Sequence, residues 1–447
     1  MANNNIVSPG IYINENDQSF LPEGIIQAGA AIVGPTVKGP VERPTLVTSY
    51  NDYVSKFGDL ITSGGATYSF FSSTAAYNYF NNGGDTLLVT RAVNGTYTNA
   101  SAEISASVGG NTKAFTVKTL AQGTDQNSGD ANDLTTSGIL LSGSKDNVRI
   151  EIQNASTSSG RFNVLVRRGD DDLTNRVVLE QFNNVSLDPF DNDYIGKAIG
   201  TQTVTIGGSG TTTPYLQVEG DYPNNSRYIF IDQASITNTP NYTDSEGNVR
   251  IQSATGSIPS NTFQAMTGGT GQIGAAAKFG KDVTSTNIEG LGQSDFTQSF
   301  YLLNDPNYSY TSIAAPGLNY DDHSTALNIL LSNTKDRADA LAIIDLQTYT
   351  DNANISSAVN TAKTINNSYA ATYFPWLLCS DPTTGRLKWA PPSTFIPGVY
   401  AFNDKVGEPW FAPAGLNRGS LPTVVRTQKG LPKASRDTLY EGKVNPI

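Results

Sequence analysis

Leu87-Leu88-Val89-Thr90-Arg91-Ala92-Val93 decides how this chain is read. Its apolar residues do not alternate with polar ones, the pattern of a strand covered on both faces, as in a sheet with helices on either side. Just before it, Asn81-Asn82-Gly83-Gly84 ends a helix predicted over residues 72–80. Further back, Ala30-Ala31-Ile32-Val33-Gly34 is a short apolar run closed by Pro35, a second buried strand, and residues 45–48 make a third. Ser49 then stands before Tyr50, Tyr53, Val54 and Phe57, spaced i, i+3, i+4 and i+7, with Gly58 behind them. That spacing predicts a helix capped by the Ser49 hydroxyl and stopped at Gly58.

Beyond Val93 the texture changes. From about residue 94 to 290, Val/Ile/Thr-rich runs at residues 114–120, 148–153, 162–168, 201–206 and 228–232 are separated by Gly, Asn, Asp and Ser clusters. This is the pattern of an antiparallel β region. Near Phe296 the α/β texture returns. Asp322 or Ser324 caps a helix with Leu327, Leu330 and Leu331 on one face, and residues 340–346 form a buried strand. A helix over 355–365 follows, then a hairpin whose arms, 376–380 and 386–390, flank Asp381-Pro382-Thr383-Thr384-Gly385. A β region bracketed by α/β on both sides points to an insertion into one parent domain.

Composition bounds the function. At 447 residues the prior is two to three domains. Charged residues make up only 15% and there are 42 Gly, which favours many short elements over long solvated helices. No apolar run approaches the roughly 20 residues of a membrane span. Residues 1–20 show no basic start, apolar core or cleavage site, so no secretory signal is expected. A net charge of −11 argues against wrapping nucleic acid. One cysteine, Cys379, excludes an intrachain disulfide, and one histidine, His323, disfavours most hydrolytic and zinc chemistry.

The motifs fare no better. Gly269-Thr270-Gly271-Gln272-Ile273-Gly274 matches G-x-G-x-x-G, but the polar residues before it make a poor central strand, so it reads as a Gly-rich linker. His323, beside Asp321 and Asp322, sits at a predicted helix start and reads as part of a capping turn. Asp170-Asp171-Asp172 and Asp188, Asp191 and Asp193 lack a calcium-loop pattern and read as solvated turns. Cys379 reads as an inert core residue, and the Asn-x-Ser/Thr triplets at Asn94, Asn154 and Asn307 as Asn-rich turns. No catalytic constellation, cofactor site or metal site emerges, so the expectation is a protein that works through surfaces rather than an enzyme.

Charge is distributed unevenly. Residues 422–447 carry Arg426, Lys429, Lys433, Arg436 and Lys443 against Asp437 and Glu441, a net +3 on a remainder of −14. Such asymmetry suits head-to-tail association or docking on an acidic partner, and equally a solvated tail. At the other end, the polar stretch before Pro22 has Ile11 and Ile13 alternating with Tyr12 and Asn14, an arm that pairs as a strand with something else.

Two blocks carry a more specific signal. The first is Ser8-Pro9-Gly10-Ile11-Tyr12, Ala31-Ile32-Val33-Gly34-Pro35-Thr36 with Lys38-Gly39-Pro40, Tyr53 with Phe57-Gly58, and Leu88-Val89-Thr90-Arg91. The second is Tyr373-Phe374-Pro375-Trp376, Pro391-Pro392-Ser393, Gly398-Val399-Tyr400-Ala401 with Asp404, then Trp410, Ala412-Pro413-Ala414-Gly415 and Arg418-Gly419. In content and order they resemble the tail sheath proteins of contractile-tailed phages, over about residues 6–93 and 296–447.

The resemblance implies an α/β (α+β) parent domain, residues 22–93 and 291–447, built from both chain ends. It implies an inserted, mainly antiparallel β protruding domain over 94–290, in one or two subdomains, and an N-terminal arm over 1–21. It further implies a structural subunit that polymerises with itself as stacked rings around a tail tube protein and contracts to drive the tube through the host envelope during genome delivery. Baseplate and tail terminator proteins are the other implied partners, with no nucleic acid and no direct membrane insertion. The implied place is the virion, after assembly in the host cytoplasm. The arm residues are then Ser8, Pro9, Gly10, Ile11, Tyr12 and Ile13, and the tube-facing basic residues Arg426, Lys429, Lys433, Arg436 and Lys443. Family members ordinarily run on past the equivalent of Asn445-Pro446-Ile447, which implies a fragment or a segment supplied another way. The sheath of a phage-derived injection machine or bacteriocin carries the same motifs, and a β-rich surface adhesin is the alternative from a different class.

Overall fold

The computed structural model describes residues 26–107, 113–128, 143–171, 176–240, 242–244, 246, 248, 257–350, 352–408 and 410–447. The apolar runs do form strands. They assemble into a seven-stranded sheet ordered Asn445–Pro446, Ala370–Phe374, Leu341–Asp345, Ser312–Asn319, Ala30–Gly34, Leu87–Arg91, Thr45–Val47. Every neighbouring pair is parallel except the last, where Thr45–Val47 runs antiparallel to Leu87–Arg91.

The two-face reading of the central strands is visible residue by residue. Ala30, Ile32, Leu87 and Val89 point to one face, where Tyr53, Phe57, Ala75, Ala76 and Tyr79 of two helices cover them. Ala31, Val33 and Leu88 point to the other, onto Phe296, Phe300, Leu327, Leu330 and Leu331. Each fully covered Val, Leu, Ile or Phe contributes about 1.5–3 kcal/mol, so this double coverage is the main source of the sheet's stability. The helix Tyr50–Phe57 has the cap its sequence predicts: Ser49 Oγ accepts the Asp52 N–H at 3.1 Å, and Gly58 closes it at φ 74°.

The helix Tyr320–Arg337 starts earlier than expected. Asn319, not Asp322 or Ser324, is the cap: its side-chain oxygen accepts the Asp322 N–H at 3.0 Å. Asn competes well for this role, and here it follows directly on the buried strand Ser312–Asn319.

Between the two sets of parallel strands lies antiparallel structure. Val178–Ser186, Arg161–Arg168, Val148–Ser156 and Thr262–Ala265 form one sheet, and Ile229–Ile231, Lys113–Gln122 and Asn99–Ser105 another. Their alternating residues, among them Ile104, Phe115, Val117, Ile150, Phe162 and Val164, meet in one apolar cluster. Phe115 and Phe162 stack at 5.7 Å between centroids. The molecule is therefore a mixed α/β protein with parallel and antiparallel sheets.

Three charged groups lie inside this β core, one of them expected at the surface. Arg149 and Arg167 are fully buried, and Asp171, read from sequence as a solvated turn residue, is buried between them. Arg167 Nε donates to Asp171 at 2.6 Å, its Nη1 to Glu151 at 2.9 Å, and the Phe263 ring lies 4.3 Å from its guanidinium carbon. A buried charge is tolerated only when paired and hydrogen-bonded, and this network supplies both. Asp172 lies outside the described residues.

Candidate assembly surfaces

The basic C-terminal stretch is folded structure, not a solvated tail. Val424–Thr427 pairs antiparallel with Leu377–Ser380 at the side of the predicted hairpin. Pro432 opens the helix Lys433–Glu441, and its single apolar anchor, Leu439, is fully buried against Val359, Phe374 and Val444. The chain then turns at Lys443, in the left-handed region at φ 64°, and Asn445–Pro446 pairs parallel with Tyr373 and Phe374.

The five basic residues divide by role. Arg426 is exposed, with its guanidinium carbon 5.4 Å from the Trp389 ring centroid. Lys429 is half-buried, its Nζ donating to Ala353 O at 2.5 Å, so this charge ties two loops together. Lys433 is exposed and paired with Asp437 one turn on at 2.7 Å. Arg436 and Lys443 are exposed. Lys433 and Arg436 thus share one short helix and Arg426 stands on the strand Val424–Thr427, while Lys429 is structural. The predicted arm residues, Ser8, Pro9, Gly10, Ile11, Tyr12 and Ile13, lie outside the described residues.

One surface feature was missed in the sequence. After the helix Ile396–Val406, the loop carries Trp410, 76% exposed, and Leu416, 97% exposed, beside the exposed Val406 and Phe411. Arg418 lies over the Phe411 ring at 4.9 Å. Set among Pro, Ala and Gly, these apolar residues have no periodicity to announce a face, and only the count of large side chains in a loop could have flagged them.

The remaining candidates are accounted for by packing. His323 is fully buried at a kink in the first turn of its helix, with Nδ1 accepting the Asn319 N–H at 3.0 Å and Nε2 3.1 Å from Ser285 O. Burial holds it below the usual imidazole range, so it is a neutral second cap, close to the capping turn expected. Asp345, at the end of a central strand, accepts the Ser393 N–H and hydroxyl at 3.0 and 2.5 Å, and burial pushes it up to about 7. The buried Cys379 thiol is pushed up to about 11 by burial, the condition of an inert thiol.

Around Ser69, Lys388 Nζ donates to Ser69 Oγ at 2.7 Å, and the Ser69 hydroxyl donates to the Asp381 carboxylate. Here the ammonium is a donor and the serine proton is already engaged, so the trio fastens the 381–385 turn to the segment before the helix Phe71–Asn81. Gly269–Gly274 is neither preceded by a buried central strand nor followed by a helix. Its backbone instead binds residues 98–127, with the Thr124 N–H on Gly271 O at 2.8 Å and Asn127 Nδ2 on Gly269 O at 2.9 Å. Asp191 and Asp193 pair with Arg161 at the surface. Among the described residues no cluster of His, Cys, Asp and Glu is placed to hold a metal ion, and no helix is long and apolar enough to cross a membrane.

No family model matches the chain. Over 101 residues, 23% of this chain and 14% of the relative, it is 36% identical to the tail sheath protein of Vibrio phage KVP40. Over 100 residues, 22% of this chain and 14% of the relative, it is 34% identical to the tail sheath protein of Enterobacteria phage T4. The match thus spans about a seventh of the length of these two relatives. Among solved structures, a sheath tail protein from Listeria innocua aligns with 94% of this chain and 65% of its own, at 11% identity and TM-score 0.48. One from Desulfitobacterium hafniense aligns with 97% and 70%, at 11% identity and TM-score 0.40. The matched segment makes the chain a relative of phage tail sheath proteins.

Proposed function

We propose that this relative of phage tail sheath proteins is itself a structural subunit of a contractile tail sheath, polymerising as a helical tube around a tail tube and contracting to drive it through the host envelope. The observation that carries the reading is the segment of about 100 residues at 34–36% identity to two tail sheath proteins. In this reading residues 22–93 and 291–447 are the parent domain and 94–290 the protruding insert. The order of strands in the large sheet supports it, since Ala30–Gly34 lies directly between Ser312–Asn319 and Leu87–Arg91.

Assembly follows from ordinary contact physics. Heterologous head-to-tail contacts that do not close a ring generate open helices. A main-chain hydrogen bond contributes about 1 kcal/mol net, so an arm such as Ser8–Ile13 is weak alone and becomes strong when each subunit is tethered to several others. The exposed Arg426, Lys433, Arg436 and Lys443 face the tube in this reading, and contraction draws on a metastable lattice relaxing to better-packed interfaces. The protein is a component of the virion and catalyses no reaction. Negative-stain microscopy of the purified chain, alone and with its tail tube protein, tests this: tubes of uniform diameter are expected. A chain that stays monomeric at high concentration with the tube present overturns it.

A further inference from the structure

The parallel-sheet half and the antiparallel half do not close completely on each other. A cavity of about 580 Å³ lies between them, within the roughly 300–1,000 Å³ typical of small-molecule sites, which occur preferentially at such junctions. Lys38, Arg43 and Lys56 line it from the sheet side and Lys145 and Arg227 from the β side, against a single lining carboxylate, Asp146. Asp52, Asp59 and Glu180 stand just behind this lining, so the excess of positive charge is small, but on a chain of net charge −11 the cavity wall itself is basic.

The floor is different in kind. Leu46, Leu120, Val148 and Leu179 give it an apolar surface. Three of the cations are held in place by neighbours: Lys38 by Asp146 at 3.3 Å, Lys56 by Asp52 at 3.0 Å and the Leu46 carbonyl at 2.9 Å, and Lys145 by Asp59 at 2.5 Å. Arg227 is exposed and has no ion pair among the described residues. The nearby Glu180 is engaged by the Arg227 N–H and the Ser226 hydroxyl, at 3.0 and 2.5 Å.

We propose that this cavity binds a small organic anion with an apolar body, its carboxylate, sulfonate or phosphate group meeting Arg227 and the lysines while the body rests on Leu120 and Leu179. A guanidinium offers a planar fork that matches such head groups. An occupant would touch both halves of the molecule and hold them in register. The inference does not rest on the sheath reading.

The test is a fluorescence titration of the full chain with 8-anilinonaphthalene-1-sulfonate and, in parallel, its uncharged parent N-phenyl-1-naphthylamine. One saturable sulfonate site is expected, weakened about tenfold by Arg227→Glu while the neutral probe is unaffected. Leu179→Trp, which fills the floor, weakens both probes. Because Arg227 is exposed, Arg227→Gln serves as a variant that leaves the fold intact, so the test stands even if Leu179→Trp does not fold. Unchanged sulfonate affinity in both Arg227 variants, or non-saturating binding at many sites, overturns the proposal.

Discussion

Glu289 offers a quantitative test of how the two halves of the chain are held together. The helix Phe71–Asn81 has no side-chain cap from its own N-cap residue, Phe70. Glu289, fully buried and 218 residues away, supplies it: both carboxylate oxygens accept the Phe71 N–H, at 3.0 and 3.1 Å. Burial pushes this carboxyl from 4.5 up to about 8, partly offset by Lys388 and by the Phe71 N–H.

The sign follows from proton counts. Between pH 4.5 and about 8 the folded protein keeps the Glu289 proton and the unfolded chain has released it. Stability from this group is therefore fully present below pH 4.5 and is lost as pH rises through 8. At about 1.4 kcal/mol per pH unit, the whole displacement corresponds to about 5 kcal/mol. Asp345 and Glu42, both raised by burial to about 7, act in the same direction, so the informative quantity is a difference between proteins. Urea unfolding of wild type and Glu289→Gln, followed by tryptophan fluorescence from pH 5 to pH 9, isolates the Glu289 share. The variant is expected within about 1 kcal/mol of wild type at pH 5, because both then carry a neutral cap, and several kcal/mol more stable relative to it at pH 9. A wild type–variant difference that does not change with pH, or a wild type that gains stability as pH rises, would refute the argument.

Leu439→Ala removes the only apolar anchor of the helix Lys433–Glu441, costs about 2–5 kcal/mol, and should make residues 430–447 the first site of limited proteolysis. Cys379 should resist iodoacetamide at pH 8 in the native protein and react within minutes after unfolding; rapid native alkylation would place the thiol at the surface. The triple variant Arg426→Glu, Lys433→Glu, Arg436→Glu changes exposed side chains only and should leave melting nearly unchanged while slowing tube-templated assembly. Each exposed charge contributes about 0–1 kcal/mol and is screened by salt, so the effect should shrink with added salt. Wild-type assembly rates at low salt would remove these residues from the tube-facing surface.

Local chemistry was legible in the sequence wherever cause and effect lie within a few residues. Ser49 and Gly58 bound their helix because a cap acts on the next turn, and Asp381 to Gly385 makes the turn between Leu377–Ser380 and Leu387–Ala390. The uninterrupted apolar runs announced doubly covered strands because side chains alternate between faces of a sheet. Where two nearby residues compete for one role, the reading slipped: Asn319 took the cap assigned to Asp322 or Ser324.

Tertiary structure alone decided what depends on distant partners. Strand order is one case, since nothing local tells Ala30–Gly34 to pair with Leu87–Arg91 on one side and Ser312–Asn319 on the other. Burial of Arg149, Arg167 and Asp171 is another: Asp171 is local to Arg167, but Glu151 and Arg149, which complete the network, come from the neighbouring strand Val148–Ser156. The cavity between the halves, and the partition of the basic segment into the structural Lys429 and the outward Arg426, Lys433 and Arg436, belong to the same class. Each depends on which surfaces meet, and that is settled by chain closure over hundreds of residues rather than by any residue's own preference.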